Sequence, residues 1–312
     1  MVTTYQPTIT GKKLLVTGAS GQIAHALAKR LAEHNEVWGI ARFGDEQRRR
    51  TLEEAGVHTA KVDLVDPDFS GLPPDFDHVL HLAAHLGSTS DYEFALDVNA
   101  VGTGLLLSHF RNVQSALVMS TTGVYKPHPD AWHRYVETDP LGDPVSPSTP
   151  GYGVCKVAQE AMARYVARAY GVKIVIGRMN ASYGPGGGLP SKHLARIVAG
   201  EPVVLRHDPA PYSPIFEDDI ARHVGRLLTS ADSSPNVVNF GGDEVVTAQE
   251  WCAYLGELVG RKPVIEYAGI PGSQPGIALD VGKRKRITGP DQWTWREGFR
   301  LMTEALAPSR LV

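Results

Sequence analysis

The sequence predicts an α/β fold, in which a doubly wound parallel sheet is followed by a smaller C-terminal α/β lobe. Short apolar runs alternate with helical patterns from Lys13 to Gly177, which indicates right-handed strand–helix–strand units with helices on both faces of the sheet. A glycine-rich turn, Gly18–Gly21, joins the first apolar run to the first helical pattern. After Tyr183 the composition shifts to a glycine-rich loop and shorter elements. We therefore expect one domain over residues 11–183 and a lobe over residues 184–312 that is interleaved with the last sheet strands.

The first domain is predicted to contain six strands and four helices. Ile23, Leu27 and Leu31 fall on one stripe of the first helix, and Gly56 and Gly171 end the second and fourth helices. The predicted strands are Lys13–Thr17, Glu36–Ala41, Val57–Val62, Asp77–Leu82, Val113–Met119 and Val172–Gly177. The predicted helices are Gln22–Glu33, Asp45–Ala55, Tyr92–Phe110 and Tyr152–Tyr170.

A proline-rich stretch interrupts this alternation between Lys126 and Pro150. A long segment of this kind inside a compact domain is usually a lid, a binding loop or a linker. The lobe that follows is predicted to mix short helices with short strands. Its helices are Ser191–Ala199, Asp218–Thr229 and Ala248–Gly260, and its strands are Pro202–Leu205, Val237–Phe240 and Val264–Tyr267.

The composition argues against several classes of protein. The 312 residues carry a net charge of −3, so neither a nucleic-acid surface nor an anionic-membrane surface is indicated. No apolar run reaches the roughly 18 residues that span a bilayer. The two cysteines, Cys155 and Cys252, are far apart and outside any metal-ligand spacing, which favours a reducing cytoplasm over a disulfide framework or a zinc site. We therefore expect a cytoplasmic protein without a metal site, and we expect the basic run Lys283–Arg286 to be a solvated loop or helix start.

The glycine-rich turn is predicted to bind a dinucleotide. Glycines at a strand–helix junction allow a tight turn and the close approach of a pyrophosphate, and the helix N-terminus offers free N–H groups. The stretch Thr17–Ala24 has this context, with Ala24 in place of the third glycine of the usual pattern. An ordinary tight turn is the alternative. The cofactor-binding residues predicted here are Gly18, Ser20, Gly21, Gln22 and Ile23.

The end of the second predicted strand bears on the choice between NADP and NAD. An NAD site usually carries an acidic residue there, which binds the ribose 2′-hydroxyl group. Here Ala41 takes that position and Arg42 follows it. A guanidinium suits a 2′-phosphate and cannot bind a 2′-hydroxyl group in the same way. The sequence therefore predicts NADP in preference to NAD, unless Arg42 is merely a solvated loop residue.

Tyr152 and Lys156 form a candidate catalytic pair at the start of the fourth helix. Residues four apart lie on the same face of a helix, so the phenol and the ammonium group can reach one site. A nearby cation favours the phenolate and lowers the phenol pKa from its usual value of about 10. The pair could thus carry out proton transfer near neutral pH. Without the surrounding motifs, the two residues would more often be surface neighbours.

Taken in order, these motifs resemble those of the extended short-chain dehydrogenase/reductases, the NAD(P)-dependent epimerase/dehydratase group. The resemblance extends from Leu14 to about Leu306 and implies a Rossmann sheet. Each motif alone is weak, but the ordered set is specific. The segments that carry it are Thr17–Ala24, Asp63-Leu64, His81-Leu82-Ala83-Ala84, Val98–Thr103, Ser120–Tyr125, Tyr152-x-x-x-Lys156, Arg178–Pro185 and Phe216–Ala221.

The resemblance also implies roles for the matching residues. Tyr152 would exchange a proton with the substrate oxygen, Lys156 would lower the Tyr152 pKa and bind the nicotinamide ribose, and Thr121 would hydrogen-bond the same oxygen. A hydride would move between the substrate carbon and the nicotinamide. Two helices, Tyr92–Phe110 and Tyr152–Tyr170, would form a four-helix homodimer interface. The further cofactor-binding residues implied are Asp63, Leu64, Leu82, Ala83, Ala84 and Asn99.

Departures from the family pattern narrow the reaction. The 4,6-dehydratases of this family carry Asp-Glu after the catalytic Thr, and this chain carries Thr122 and Gly123, so dehydration is not expected. Sugar-nucleotide enzymes usually have an arginine near the substrate diphosphate, where this chain has Tyr212 or Ser213. This difference weakens the case for a sugar nucleotide, and Arg206, His207 or Arg178 could compensate for it.

Three of the predicted substrate-binding residues follow strand ends, and Tyr212 stands where the sugar-nucleotide relatives usually carry an arginine. His85, Thr122, Asn180 and Tyr212 are the predicted substrate-binding residues, and Ser88 and Thr89 follow His85 in the same loop. An exposed loop is the alternative for His85 and its neighbours.

We expect an NADP-preferring oxidoreductase or epimerase that acts on a sugar-like or polyhydroxylated small molecule. A ketone or aldehyde reductase on a non-nucleotide substrate is the second possibility. A cofactor-sensing protein without turnover is the third, and the presence of both Tyr152 and Lys156 disfavours it.

Overall fold

The computed structural model describes residues 7–86, 92–142, 144–146 and 151–311. Within these residues, seven parallel strands form the central sheet in the order β12-β6-β5-β4-β1-β2-β3. Its strands are β1 (Lys13–Thr17), β2 (Glu36–Ala41), β3 (His58–Lys61), β4 (His78–His81), β5 (Ser115–Thr121), β6 (Ile174–Met179) and β12 (Asn236–Phe240). The predicted doubly wound parallel sheet is confirmed.

Helices cover both faces of this sheet. Their bounds are α1 (Gln22–Ala32), α2 (Glu46–Glu54), α3 (Tyr92–Leu96), α4 (Gly102–His109), α5 (Tyr152–Tyr170), α6 (Leu189–Ala199), α7 (Glu217–Thr229), α8 (Ala248–Leu258), α9 (Gly282–Thr288) and α10 (Trp295–Leu306). On one face, α1 and α7 bury leucines and alanines against β1 and β5. On the other face, α4 and α5 pack on β4, β5 and β6. Because both faces are covered, the strands can be almost continuously apolar.

The chain order of the sheet changes direction between β1 and β4. β1 pairs with β2 on one side and with β4 on the other, so the connections leave toward opposite edges. In such sheets the crevice beyond the carboxyl ends of the strands, at this switch point, is the usual ligand site. The glycine-rich turn after β1 and the Leu82–Ala84 segment after β4 both lie at this edge.

The predicted single helix over Tyr92–Phe110 is interrupted. A π-helical turn, Asp97–Val101, separates α3 from α4. π-turns are frequent at functional sites because they redirect side chains within a helix, and here the turn contains the buried Asn99. Strands β5 and β6 also begin two residues later than their apolar patterns suggested.

The C-terminal lobe has its own apolar core. Trp251, Phe299 and Met302 are fully buried at its centre, between α6, α8 and α10. Short strand pairs bind its segments together, and several of them contain only two residues. They are β7 (Ser182–Gly184), β8 (Gly187–Gly188), β9 (Val203–Leu205), β10 (Pro211–Tyr212), β11 (Ile215–Phe216), β13 (Val246–Thr247) and β14 (Ile265–Tyr267). No helix in the described ranges combines the length and apolar character needed to cross a membrane.

Candidate active site

A cavity of about 590 Å³ lies at the carboxyl edge of β1, β2, β3, β4 and β5. Most of the predicted cofactor-binding residues border it. They are Gly18, Ser20, Gly21, Gln22, Ile23, Arg42, Asp63, Leu64, Leu82, Ala83, Ala84, Tyr152 and Lys156. The exception is Asn99. The cavity's position at the switch point matches the site expected for a dinucleotide.

The glycine-rich turn is pressed against the segment that follows β4. Gly18 has a φ of +70°, and a Cβ atom there would lie 2.7 Å from Ala83 Cα. No side chain larger than hydrogen fits this position, which leaves the turn backbone bare toward the cavity. Gly21 precedes α1 and has no capping side chain, so N–H groups of the first turn of α1 are available to phosphate oxygens. This cradle fits a dinucleotide pyrophosphate.

A buried histidine supports the floor of the cavity. Thr17 Oγ1 accepts a hydrogen bond from the Ala83 N–H group (3.1 Å) and lies 2.7 Å from His81 Nδ1. His81 Nε2 lies 2.6 Å from Thr103 Oγ1, whose hydroxyl group donates to the Asn99 carbonyl (2.6 Å). Each hydroxyl group has one proton, so Thr17 donates to Nδ1 and Nε2–H donates to Thr103. Burial and the nearby Lys156 lower the His81 pKa to about 3, which keeps the ring neutral.

The three predicted catalytic residues come from adjacent elements. Gly151, with a φ of +71°, is the N-cap of α5, and Tyr152 is the first residue of the helix. Thr121 ends β5, and its Oγ1 accepts from the Gly123 N–H group (3.1 Å). Lys156 is 1% exposed, and its Nζ donates to the Met119 carbonyl oxygen (2.6 Å). Both Tyr152 and Thr121 border the cavity beside Lys156, so the structure brings the predicted triad together.

The proton affinities of the pair differ from the expectation. Burial raises the pKa of the Tyr152 phenol well above its usual value. Lys156 Nζ lies 5.9 Å from the Tyr152 ring centroid and is directed to a backbone carbonyl, so its charge does not offset the desolvation of the phenol. Burial also lowers the Lys156 pKa to about 7, against the attraction of Glu160. The expected lowering of the Tyr152 pKa is therefore wrong for this state of the protein, in which the phenol is a proton donor.

A second cavity of about 400 Å³ adjoins the first on the side of the C-terminal lobe. Thr122 and Tyr212 border it, as predicted for substrate-binding residues. Among the described residues, four border both cavities, namely Thr121, Tyr152, Met179 and Asn180. The triad hydroxyl groups therefore stand where a dinucleotide in the first cavity would meet a molecule in the second.

A model of the NAD dependent epimerase/dehydratase family matches residues 14–241. The chain belongs to this family. It is 28% identical to the dTDP-4-dehydro-6-deoxy-D-allose reductase of Streptomyces bikiniensis, over 93% of this chain and 94% of that protein. It is 25% identical to an uncharacterized UDP-glucose epimerase of Bacillus subtilis, over 90% of this chain and 93% of that protein. The family resemblance inferred from the motifs is thereby confirmed.

Solved structures share the fold. The UDP-glucose 4-epimerase of Thermus thermophilus, in complex with NAD, superposes with a TM-score of 0.80 at 26% identity, covering 94% of this chain and 98% of that chain. The UDP-glucuronic acid 4-epimerase of Bacillus cereus, in complex with UDP-glucuronic acid and NAD, superposes with a TM-score of 0.82 at 23% identity, covering 95% of this chain and 99% of that chain. As a member of this family, the chain is an NAD-dependent enzyme, and the expected oxidoreductase or epimerase class is confirmed.

Two predicted residues lie beside the cavities rather than on their walls. His85 borders neither cavity, and its ring packs edge-on against Phe94 at 5.0 Å. Its backbone exchanges two hydrogen bonds with the Asn99 side chain, from His85 N–H (3.0 Å) and to His85 O (2.9 Å). Asn99 therefore fixes the loop after β4 and is not itself part of the lining. Ser88 and Thr89 lie outside the described residues.

Asn180 borders both cavities, but its side chain already has partners. Its amide donates to the Ile277 carbonyl (2.7 Å), and its Oδ1 accepts from the Ser213 N–H group (3.0 Å). Both bonds reach the C-terminal lobe. Asn180 thus joins the end of β6 to the lobe across the base of the second cavity.

The three residues that could replace the missing arginine lie in different environments. Arg178 is 2% exposed and makes a two-point ion pair with Glu160, at 2.9 and 2.8 Å. Because this charge is paired inside the protein, the Arg178 guanidinium is not available to a substrate diphosphate. The expectation that Arg178 could compensate for the missing arginine is therefore wrong. Arg206 and His207 border the second cavity, and His207 Nε2 lies 2.7 Å from Ser273 Oγ.

One cluster of potential metal ligands occurs in the part of the chain that the structure describes. It consists of Asp219, His223 and Asp291. The guanidinium of Arg284 lies 3.1 Å from both Asp291 Oδ1 and His223 Nε2, so a cation already occupies this neighbourhood. Asp219 Oδ1 also accepts from the Gln292 N–H group (2.7 Å). The cluster is therefore an internal ion pair network that ties α7 to the segment before α10.

The sequence patterns missed several residues of the site. Met119 supplies the carbonyl that holds Lys156, and Ser182 Oγ accepts from Gln22 Nε2 at 3.1 Å. His81 was identified only as part of a family motif, and its supporting role was not predicted. No sequence pattern indicated His193 of α6, which borders the second cavity. Their partners lie far away in sequence, so no local pattern indicates them.

Proposed function

We propose that this enzyme transfers a hydride between NAD(P) and a carbon of a nucleotide-linked sugar, as a reductase or an epimerase. The observation that carries the proposal is the shared wall of the two cavities, where Tyr152 and Thr121 border both. The named activities of the relatives, on dTDP- and UDP-linked sugars, support this substrate class. A reductase for simple ketones is the second candidate, supported by Tyr212 where an arginine is usual.

The triad residues perform the proton chemistry. When bound, the nicotinamide supplies or accepts the hydride. For carbonyl reduction, Tyr152 donates its phenolic proton to the substrate oxygen as the hydride reaches the carbon, and Thr121 hydrogen-bonds that oxygen. In the reverse direction the phenolate takes the hydroxyl proton. In this geometry Lys156 Nζ donates to the Met119 carbonyl oxygen. Reorientation toward the phenolate would let its ammonium group, which with a pKa of about 7 can be charged in neutral solution, stabilise the anion.

Replacing Tyr152 tests the mechanism. We expect Tyr152→Phe to lower kcat by at least about 10²-fold, because the proton donor is lost. Its Kd for NAD(H) and NADP(H) should stay within about threefold of the wild-type value, since the ring remains. Steady-state kinetics on a panel of UDP- and dTDP-sugars beside simple ketones gives the first value, and isothermal titration gives the second.

Tyr165→Phe is the matched control, because Tyr165 lies on the same helix and is 56% exposed. It should retain the wild-type kcat. Survival of activity in Tyr152→Phe would refute the mechanism. Turnover confined to simple ketones would refute the sugar-nucleotide substrate and leave the mechanism in place.

We propose a preference for NADP over NAD through Arg42. Arg42 borders the first cavity directly after β2, where the chain places no carboxylate. Its guanidinium is exposed and lies 5.9 Å from the centre of the Phe94 ring. The solved relatives named above bind NAD, so this preference would distinguish the present chain from them.

Arg42→Ala should reduce kcat/KM for NADPH at least about tenfold and leave kcat/KM for NADH within about twofold, because only the 2′-phosphate contact is removed. The ratio of the two values is measured by steady-state kinetics. Arg50→Ala is the control, since Arg50 is an exposed arginine of α2 that does not border the cavity. A wild-type preference for NADH would contradict the proposal.

We also propose that the enzyme is a homodimer located in the cytoplasm. Val101 and Leu105 are 47% and 43% exposed, and Tyr165 of the neighbouring helix α5 is also exposed. Such an apolar strip on two packed helices fits a second copy of the same surface in a four-helix arrangement. The buried thiols of Cys155 and Cys252, which are not joined in a disulfide, support a reducing compartment.

A further inference from the structure

His193 borders the second cavity from α6, although only 6% of its surface is exposed. Its Nδ1 accepts a hydrogen bond from Trp251 Nε1 at 2.9 Å, and the Cys252 thiol lies 3.5 Å from the same nitrogen. An indole N–H group can only donate. Nδ1 therefore carries no proton, and the proton of the neutral ring is on Nε2.

The environment of His193 favours this neutral tautomer, with the proton on Nε2. Burial and the neighbouring Arg196 lower the His193 pKa to about 4, so the ring stays neutral in neutral solution. Trp251 is fully buried and packs against Tyr212 and Phe299, at centroid distances of 5.1 and 6.1 Å. The hydrogen bond from this buried indole favours one orientation of the His193 ring. Within the described ranges, Nε2 has no hydrogen-bond partner among the protein groups.

We propose that His193 is a substrate-binding residue, which donates a hydrogen bond from Nε2–H to an oxygen of the molecule in the second cavity. The proposal rests on the function proposed above and adds a specificity-determining residue to it. A fixed, uncharged donor of this kind selects an acceptor oxygen, such as a hydroxyl, carbonyl or phosphate oxygen. Because the donor orientation is built into the lobe core, no ordering of the side chain is needed on binding.

His193 should act on binding rather than on the chemical step. It borders the second cavity alone, whereas Thr121 and Tyr152 border both cavities. Loss of an interaction that is equal in the ground state and the transition state raises KM and leaves kcat unchanged. Arg206, on the wall of the same cavity, would face an anionic part of the substrate.

Two substitutions separate the substrate contact from the structural contact. In His193→Asn, the side-chain oxygen can replace Nδ1 as acceptor for Trp251, but no donor remains in the place of Nε2. In His193→Gln, the longer amide can present a donor near the place of Nε2, but Trp251 loses its acceptor. The pair therefore removes the two hydrogen bonds one at a time.

We expect His193→Asn to raise KM for the best UDP- or dTDP-sugar of the panel roughly tenfold, with kcat within about twofold of the wild-type value. His193→Gln should rescue KM to within about threefold and should lower the Tm instead, because a buried indole N–H group is left unpaired. The measurements are steady-state kinetics with saturating cofactor and thermal unfolding of each variant.

The opposite pattern would overturn the proposal. If His193→Asn has the wild-type KM and His193→Gln is the impaired enzyme, the histidine serves only to accept from Trp251. If the wild-type enzyme turns over ketones and no nucleotide sugar, the substrate class proposed above fails. The two variants are then compared on the best ketone, where a KM rise in His193→Asn alone supports the contact and equal KM values refute it.

Discussion

At the residue scale, His81 shows how burial fixes the charge of the cofactor site. The ring is completely buried between the Thr17 and Thr103 hydroxyl groups, and each hydroxyl already has a defined donor direction. A protonated ring would present a second N–H group to Thr17, whose oxygen already accepts from Ala83 and whose only proton would lose its acceptor. The low pKa of about 3 agrees with this geometry.

This histidine should make the protein sensitive to acid. Its pKa in the folded state is below the ordinary value of about 6.5, so the unfolded chain binds the proton first as the pH falls. The free energy of unfolding should therefore decrease below pH 6.5 and continue to decrease toward pH 3, by about 1.4 kcal/mol per pH unit for a single group. His81→Gln removes this contribution.

Urea unfolding of the wild type and of His81→Gln at pH values from about 7 down to about 4.5 would measure the effect, because this range begins just above the ordinary histidine pKa of about 6.5 and extends below it. The variant should be less stable at pH 7, and its unfolding free energy should fall less steeply with acid than that of the wild type. Parallel curves for the two proteins would mean that His81 titrates normally in the fold.

Motifs alone could predict the positions of Gly18, Thr121, Tyr152 and Lys156, because a turn and a helical spacing are local properties. They could not predict proton affinities. The phenol pKa of Tyr152 depends on how much water the folded chain removes, and the tautomer of His193 depends on Trp251, 58 residues away. Such properties follow from tertiary packing.

At the scale of elements, a buried ion pair anchors α5 to the sheet. Glu160 lies one turn after Lys156 and accepts from Arg178 of β6 and from Ser120 Oγ of β5 (2.7 Å). Both charged side chains are 2% exposed. This network fixes the rotation of the helix that presents Tyr152 to the cavities.

Glu160→Gln should lower the free energy of unfolding by about 3–5 kcal/mol, because it leaves the buried Arg178 charge without a counter-ion. Urea unfolding gives the value. Arg164→Ala is the matched control, since Arg164 is half-exposed and reaches Glu160 only at 3.8 Å. Its removal should cost no more than about 1 kcal/mol. Equal losses in the two variants would refute an anchoring role for the Glu160–Arg178 pair.

Element prediction worked where periodicity was strong and failed where pairing was distant. The bounds of β1, β2 and α5 follow directly from apolar runs and glycine stops. Two-residue strands such as β10 exist only because a remote segment pairs with them, so no pattern indicates them.

The basic run Lys283–Arg286 forms part of α9, and Arg284 is fully buried there, because it neutralises Asp243 and Asp291. Its expected solvation is therefore wrong for this arginine.

At the scale of the whole molecule, the order of strands explains where the two cavities lie. β12, from the C-terminal half of the chain, pairs with β6 at one edge of the main sheet. The helices of the lobe core come from both sides of β12 in the chain, with α6 before it and α8 and α10 after it. The alternation of strands and helices sufficed to predict the sheet, whereas the division of the lining between two cavities required the packed lobe.

The proposed dimer is a property of the same scale. Light scattering at micromolar concentration should give twice the 33.8 kDa mass of one chain. Leu105→Glu should convert the dimer to a monomer, because a carboxylate would be buried without a partner at the centre of the apolar strip. Val264→Glu is the charge-matched control, because it also adds one negative charge at an exposed apolar position (55% exposed) that lies outside α4 and α5. A wild-type monomer would refute the proposal.

The narrow wall between the cavities has a consequence for how such enzymes diversify. Among the residues that the structure describes, only Thr121, Tyr152, Met179 and Asn180 border both cavities. The other described residues of the second cavity do not border the first, and most of them come from the lobe and its loops. We therefore expect that substitutions in the lobe can change the substrate range with little effect on the cofactor site, so re-engineering of this enzyme for a new substrate can begin in the lobe.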